Sequence, residues 1–458
     1  MQLQRTDIIK KRLEFFLRAP RRALFHLAWP TLIATLIQTT YNLVDTAYVG
    51  RLGTGPLAAL TFSFPLFFTL VSFNMGMGVG LNAVVARHLG AGLEQSAANA
   101  AMHGIVASLT CALGLFLGTE IFLGPLLTLL GAEQEIHRLA GDYMRIVAAG
   151  VFLMFPMYAV ISTFTAQGDT ITPMKVQFFT LFLNLILDPL FIFTFNLGIK
   201  GAALATNLSL CAGLFLALGY LKRKSIIKLN LHNWSFSPAM IREIFAIGLP
   251  ASLTMLLMAI YMMGINRLIA GYGTDTVAAL GLVTRLDSAI IIPMVALSVA
   301  LLTLTALFYG AREFAVLKQT IHFAIKVNLV FALVCGLVMF FRPHFFLRPF
   351  TNEAEPLRLA ALYLKFEVLN FPFMAITLSG NRALQGLGLS LPGLVINAGR
   401  LFLISLPLAM IFVIWLRLDF RMVAIAALCG NLTSSAIALI WLQKTMAGIS
   451  NMTTIQRC

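Results

Sequence analysis

The chain has 458 residues, 59% of them apolar and only 11% charged, with 33 Lys and Arg against 18 Asp and Glu. A soluble domain is about 45–50% apolar and about 25% charged, so this chain cannot cover a globule of its size with polar surface. Mean hydropathy is +0.89. Disorder, collagen, coiled coil and a soluble enzyme are excluded, and an all-α polytopic membrane protein remains. The net charge of +15 reads as membrane topology and affinity for anionic lipid, not as nucleic-acid binding.

In chain order, residues 1–22 form a basic, surface-lying segment without a signal-peptide cleavage pattern. Apolar runs then predict six spans over 24–50, 56–88, 95–130, 136–166, 172–195 and 199–221. Gly118 and Gly124–Pro125 are expected to shorten the third. A polar linker, 222–240, precedes six more spans over 241–271, 276–308, 316–341, 356–386, 391–416 and 420–444. The resulting division is an N-lobe at 23–221, a C-lobe at 241–445 and a cytoplasmic tail at 446–458. Nineteen Lys and Arg fall on the side of the N-terminus and nine on the other, which predicts both termini in the cytoplasm.

A shift of 220 residues aligns the halves without a gap over some sixty positions: Pro30 with Pro250, Tyr41 with Tyr261, Gly53-Thr54 with Gly273-Thr274, Gly90-Ala91 with Gly310-Ala311. A second echo, slightly out of register, pairs Gln167-Gly168 with Gln385-Gly386. With six spans each, the copies are parallel repeats, and two similar bundles flanking a cleft suit alternating access. Prolines recur within spans (Pro30, Pro65, Pro156, Pro189, Pro250, Pro293, Pro372, Pro407), as expected of bent helices framing a cavity.

An ionisable group at bilayer depth costs about 2.5–3.5 kcal/mol or more on insertion scales. Asp45 on the first helix and Asp188 on the fifth therefore mark a site. Asn184, four residues before Asp188, shares its helix face, and Thr206 lies on the sixth helix. Two carboxylates, an amide oxygen and a hydroxyl can take up Na⁺ or protons alike. Arg285 and Asp287 on the eighth helix are candidates for coupling or for lining the cleft, as are Tyr41, Asn42 and Pro30, and Asp45 is a possible partner for Arg285. Arg267, Lys326, Lys365, Glu367 and Arg400 read as residues near span ends, and His26 and His103 as interior histidines. No G-x-x-x-x-G-K-[ST], H-E-x-x-H or G-x-S-x-G occurs, so an enzyme or an ATP-driven pump is not expected, and the energy must come from an ion gradient. The five cysteines show no metal or disulfide spacing.

The stretch holding Trp29, Pro30, Gln38, Tyr41, Asn42, Asp45, Gly50, Gly53 and Leu57–Leu60, with ARHLGAG at 86–92, QGDT..P at 167–173 and N...DP at 184–189, resembles the MATE (multidrug and toxic compound extrusion) family, and its DinF-like branch more than the NorM-like one. The resemblance covers about residues 20–445. It implies twelve transmembrane helices in two pseudo-symmetric six-helix lobes. It also implies export of small amphipathic or cationic compounds in exchange for H⁺ or Na⁺, with no other cofactor. It places the ion site at Asp45, Asn184, Asp188 and Thr206 and a protonation-linked bend at Pro30. Helix seven lacks the NorM-like acid, and Glu367 stands near the start of helix ten, which favours the N-lobe for ion binding. A monomer in the cell's inner membrane suffices for such a mechanism. A lipid-linked oligosaccharide flippase of the same superfamily is the alternative.

Overall fold

The computed structural model describes residues 11–229, 234–351 and 353–455, and for Asn42 and residues 450–455 the backbone alone. The described residues are helical throughout, with no strand among them. In lipid no water is available for a free backbone N–H or C=O, so a chain this apolar satisfies both within each helix.

The long helices are α1 (Pro20–Gly50), α2 (Thr54–Gly90), α3 (Glu94–Leu129), α4 (Gln134–Ala149), α5 (Val151–Ala166), α6 (Ile171–Pro189) and α7 (Gly198–Lys224). After the linker come α8 (Pro238–Ile269), α9 (Thr274–Gly310), α10 (Phe314–Phe341), the short α11 (Pro343–Leu347), α12 (Ala354–Glu367) and α13 (Phe371–Gly386). The last are α14 (Leu391–Ala398), α15 (Leu406–Met410) and α16 (Met422–Ile455). Ten segments are long and apolar enough to cross a membrane, and α4 with α5 makes an eleventh, bent by 43°. The 31-residue α1 is more polar because it carries Gln38, Thr39, Thr40, Tyr41, Asn42 and Asp45. It completes twelve.

Three features depart from the sequence-based expectation. Helix α3 runs on to Leu129 with Pro125 inside it, because a helix that stopped in lipid would strand its carbonyls. The fourth span is broken at Gly150. There the Asn207 side-chain amide donates to the carbonyl of Ile146, at 2.6 Å, and occupies the space a Cβ at Gly150 would need. The Gly150 amide still reaches the Ile146 carbonyl, at 3.2 Å, so this carbonyl accepts twice at the bend. The final helix continues to Ile455, into the expected tail.

The repeat is visible in the backbone. α2 and α9 start and end at the same 220-residue offset, and so do the starts of α3 and α10. Gly53 and Gly273 both hold positive φ, at 109° and 102°, which only glycine adopts readily. Gly168 and Gly388 do the same, at 73° and 87°, so the backbone keeps the 220 offset where the sequence echo slips. α6 passes into a π-helical stretch, Leu190–Thr194, and the eleventh span ends in another, Ile411–Trp415.

Contacts divide the chain into two compact units. One holds residues 29–252 with the segment up to Glu14, and the other holds 15–28 and the chain from 253 onward. The boundaries fall before α1, inside α1 and inside α8, not in the polar linker. The first unit has a core around Leu70, Leu127, Met144, Phe155 and Ile192, the second around Leu286, Ile290, Met294, Leu364 and Phe371. Leu129, Leu403 and Trp415 are among the many exposed apolar side chains, as expected where the outer faces meet lipid tails.

The QGDT segment does structural work. Gln167 ends α5 and bonds Ser225 and the Ile226 amide. Gly168 makes the left-handed turn. Asp169 accepts from the amides of Ile171 and Thr172, at 3.1 and 3.0 Å, and so caps α6.

Candidate ion and cargo sites

In the first unit, α1, α4, α6 and α7 bring polar side chains together. Asn184 and Asp188 lie one turn apart on α6, and the Asn184 amide donates to Asp188 Oδ1 at 2.9 Å. They are 1% and 0% exposed, so the carboxylate is shut away from solvent. The Tyr41 and Thr206 hydroxyls are hydrogen bonded at 2.8 Å. Asp45 and Asp188 lie within electrostatic reach of each other and of Tyr143. One oxygen of each carboxylate, Asp45 Oδ1 and Asp188 Oδ2, is buried with no hydrogen-bond partner among the described residues. Buried polar atoms are rarely left so. These acceptors without donors fit a cation or a proton, either of which supplies what each oxygen lacks.

The sequence-derived residues Tyr41, Asp45, Asn184, Asp188 and Thr206 thus fall in one region of one unit. Pro30 is buried, 15 positions before Asp45. The side chain of Asn42 lies outside the described residues. Tyr143 is the member that sequence did not single out. It is 8% exposed on the amphipathic α4, next to Asp142, which pairs with Lys200 at 2.9 Å.

The second unit holds a polar cluster of its own. Glu367 and Arg400 lie deeper than the span ends at which the sequence predicts them. Glu367 ends α12, halfway along the span Ala354–Gly386, and Arg400 lies inside the span Leu391–Trp415. Asn370, fully buried, donates to Glu367 Oε2 at 3.4 Å and to the Ala424 carbonyl at 3.3 Å, and accepts from Asn431 at 2.7 Å. Arg400 in turn donates to Asn431. Asp287 is half-buried with Oδ1 unpartnered, whereas Arg285 is exposed. Tyr363 lies within electrostatic reach of both Glu367 and Asp287. Asn370→Ala would remove the acceptor of the buried Asn431 amide nitrogen and a donor to Glu367, at about 1–3 kcal/mol for each buried group left unpaired. The expected result is a clear loss of thermal stability in detergent, and an unchanged melting temperature would contradict it.

His103 is buried and hydrogen bonded on both ring nitrogens, whereas His26 is exposed. Among the described residues no group of three or more His, Cys, Asp or Glu could hold a metal ion.

Eleven apolar spans and the more polar α1, in two repeat-related lobes that each hold carboxylates in their interior, define an integral membrane protein of the two-lobed transporter class. The family model described as MatE matches residues 30–190 and 250–411, and the chain belongs to that family, whose members are transporters. It is 30% identical to the "Probable multidrug resistance protein YoeA" of Bacillus subtilis (strain 168), over 77% of each chain. It is 31% identical to a "FAD transporter" of Shewanella oneidensis, over 85% of this chain and 87% of that one. A solved structure described as the "outward-facing conformation of a multidrug resistance MATE family transporter of the MOP superfamily" superposes with a TM-score of 0.89 at 27% identity, covering 94% and 97% of the two chains.

Proposed function

We propose that the protein is a secondary active exporter that releases small amphipathic, cationic compounds in exchange for inward-moving H⁺ or Na⁺. The observation that supports this most is the pair of buried carboxylate oxygens without donors on Asp45 and Asp188. An ion taken up there changes the charge inside the first lobe. If the ion and the cargo prefer different states of the two lobes, each shifts the equilibrium against the other, and exchange follows from that difference in affinity. Arg285, Asp287, Tyr41 and Asn42 are assigned to the cargo path or to coupling, and Pro30 to the bend in α1. The reading places the chain in the cell's inner membrane with both termini cytoplasmic, acting as a monomer. The test is uptake of a fluorescent cationic dye by inverted vesicles under an imposed pH gradient and then under a Na⁺ gradient. Movement under one gradient names the ion, and a folded protein that moves no dye under either would refute the reading.

A second cargo is supported by the relative named as a FAD transporter, which matches 85% of this chain. Loaded with FAD instead of dye, the same vesicles distinguish an anionic flavin nucleotide from a cationic drug. The relatives named above do not favour the flippase alternative.

A further inference from the structure

A polar linker between two lobes is the ordinary place for a hinge, yet this one is built into the first unit. At its start, Ser225 bonds Gln167 through its side chain at 3.1 Å, and the Ile226 amide donates to Gln167 Oε1 at 2.8 Å. At its end, the Ser237 amide donates to His103 Nε2 at 2.8 Å, while the Asn99 side-chain amide donates to Ser235 Oγ at 3.0 Å. Trp234 and Phe236 lie against the His103 ring, at 5.5 and 5.8 Å between centroids. His103 Nδ1 donates to the Asn99 carbonyl at 2.7 Å while Nε2 accepts from Ser237, so the ring is held on both sides.

The attachment continues along the first half of α8. Glu243 forms an ion pair with Arg87 of α2. Gly248 packs backbone to backbone on Gly76, where a Cβ would stand 2.9 Å from the Gly76 carbonyl oxygen. Gly80 lies against the Ile244 carbonyl. The attachment ends at Ser252, where the first unit ends. Two residues earlier Pro250, lacking an amide hydrogen, cannot donate to the carbonyl of Ala246, so the helix is one hydrogen bond short at that place. Repeat-related Pro30 stands two residues past Ala28, the last residue of the α1 segment assigned to the second unit. In that segment Arg21 and Phe25 pack on Phe323.

We propose that residues 225–229 and 234–252 are a strap fixed to the first unit, and that α8 pivots at Pro250–Leu253 when the lobes move. The idea rests on the alternating-access reading for the motion itself, but not on which ion or cargo is used. Lys175 and Lys318 are exposed on the first and second units, and Arg242 is exposed on the strap. Nitroxide pairs at 175/242 and 242/318 in the full chain, measured by electron–electron double resonance at acid and alkaline pH with and without Na⁺, test the assignment. The 175/242 distance is expected to stay fixed while the 242/318 distance changes. A 175/242 distance that moves, or a 242/318 distance that does not, overturns it. A second test oxidises an Asn99→Cys/Ser235→Cys pair in a background without the native cysteines. Transport is expected to continue with the strap cross-linked, and transport that stops on oxidation and returns on reduction overturns the proposal. A wild type that moves no cargo would defeat the transport reading instead, and the distance pairs would still decide the strap.

Discussion

Asp45→Asn is expected to yield a folded, inserted protein that no longer moves cargo against a gradient. Asn keeps the shape of Asp but replaces the carboxylate, one oxygen of which is buried without a donor, by a neutral amide. The residue then carries no charge for a cation or proton to neutralise, so it cannot cycle between two charge states. A hydrogen bond to a charged group is worth about 1.5–3 kcal/mol. Loss of that term corresponds to a drop of about 10- to 150-fold in affinity for the coupling ion. Dye movement in vesicles under the gradient that drives the wild type should fall to the level of empty vesicles, while dye binding in detergent persists. Wild-type rates from the Asn variant would remove Asp45 from the mechanism and leave Asp188 as the remaining candidate.

Gly76→Val should instead act on the fold. The Cβ would lie 2.6 Å from the Gly248 carbonyl oxygen and 2.7 Å from the Ser252 amide nitrogen. Both neighbours are backbone, so no rotamer change relieves the clash and the two helices must separate. Overpacking of this kind costs about 1–3 kcal/mol or more, which at about 2–4 °C per kcal/mol lowers the melting temperature by several degrees. In membranes, small residues at crossings are what allow helices to approach closely. The check is thermal aggregation monitored by size-exclusion chromatography, with Gly114→Val as the control, since a Cβ at Gly114 meets nothing within 4 Å. Equal melting temperatures for the two variants would show that the α2–α8 contact contributes little.

What sequence revealed, and what it hid, follows from the cost of burying charge. Asp45 and Asp188 stand out because a carboxylate within a span is costly, and the four-residue spacing alone puts Asn184 on one face with Asp188. Tyr143 gave no such signal. A phenol is ordinary at a membrane interface, and its place beside the carboxylates depends on α4, which breaks from α5 at Gly150. Glu367 and Arg400 were misplaced for a related reason. The tenth span is interrupted by a 3₁₀ turn at Val368–Asn370 and the eleventh by π-helical turns from Gly399. Hydropathy does not register such irregularities, so distance from the apparent span end was a poor measure of depth. The glycine breaks expected in α3 failed in the opposite sense: Gly118 and Gly124 carry no obligation to end a helix where lipid offers the backbone no other partner. The repeat was legible because Pro, Gly and Tyr keep their register, and positive-φ turns enforce part of it at Gly53 and Gly273.

The break at Gly150 makes the proposed ion site depend on a residue outside it. The Asn207 amide bonds the Ile146 carbonyl at this bend, and Tyr143 lies on the arm before it. Its neighbour in the chain, Thr206, holds the Tyr41 hydroxyl. Two consecutive positions on α7 thereby set the placement of one phenol from α1 and another from α4. In evolutionary terms, ion preference could be retuned through α7 while both carboxylates stay unchanged, and a comparison restricted to the acidic residues would miss it.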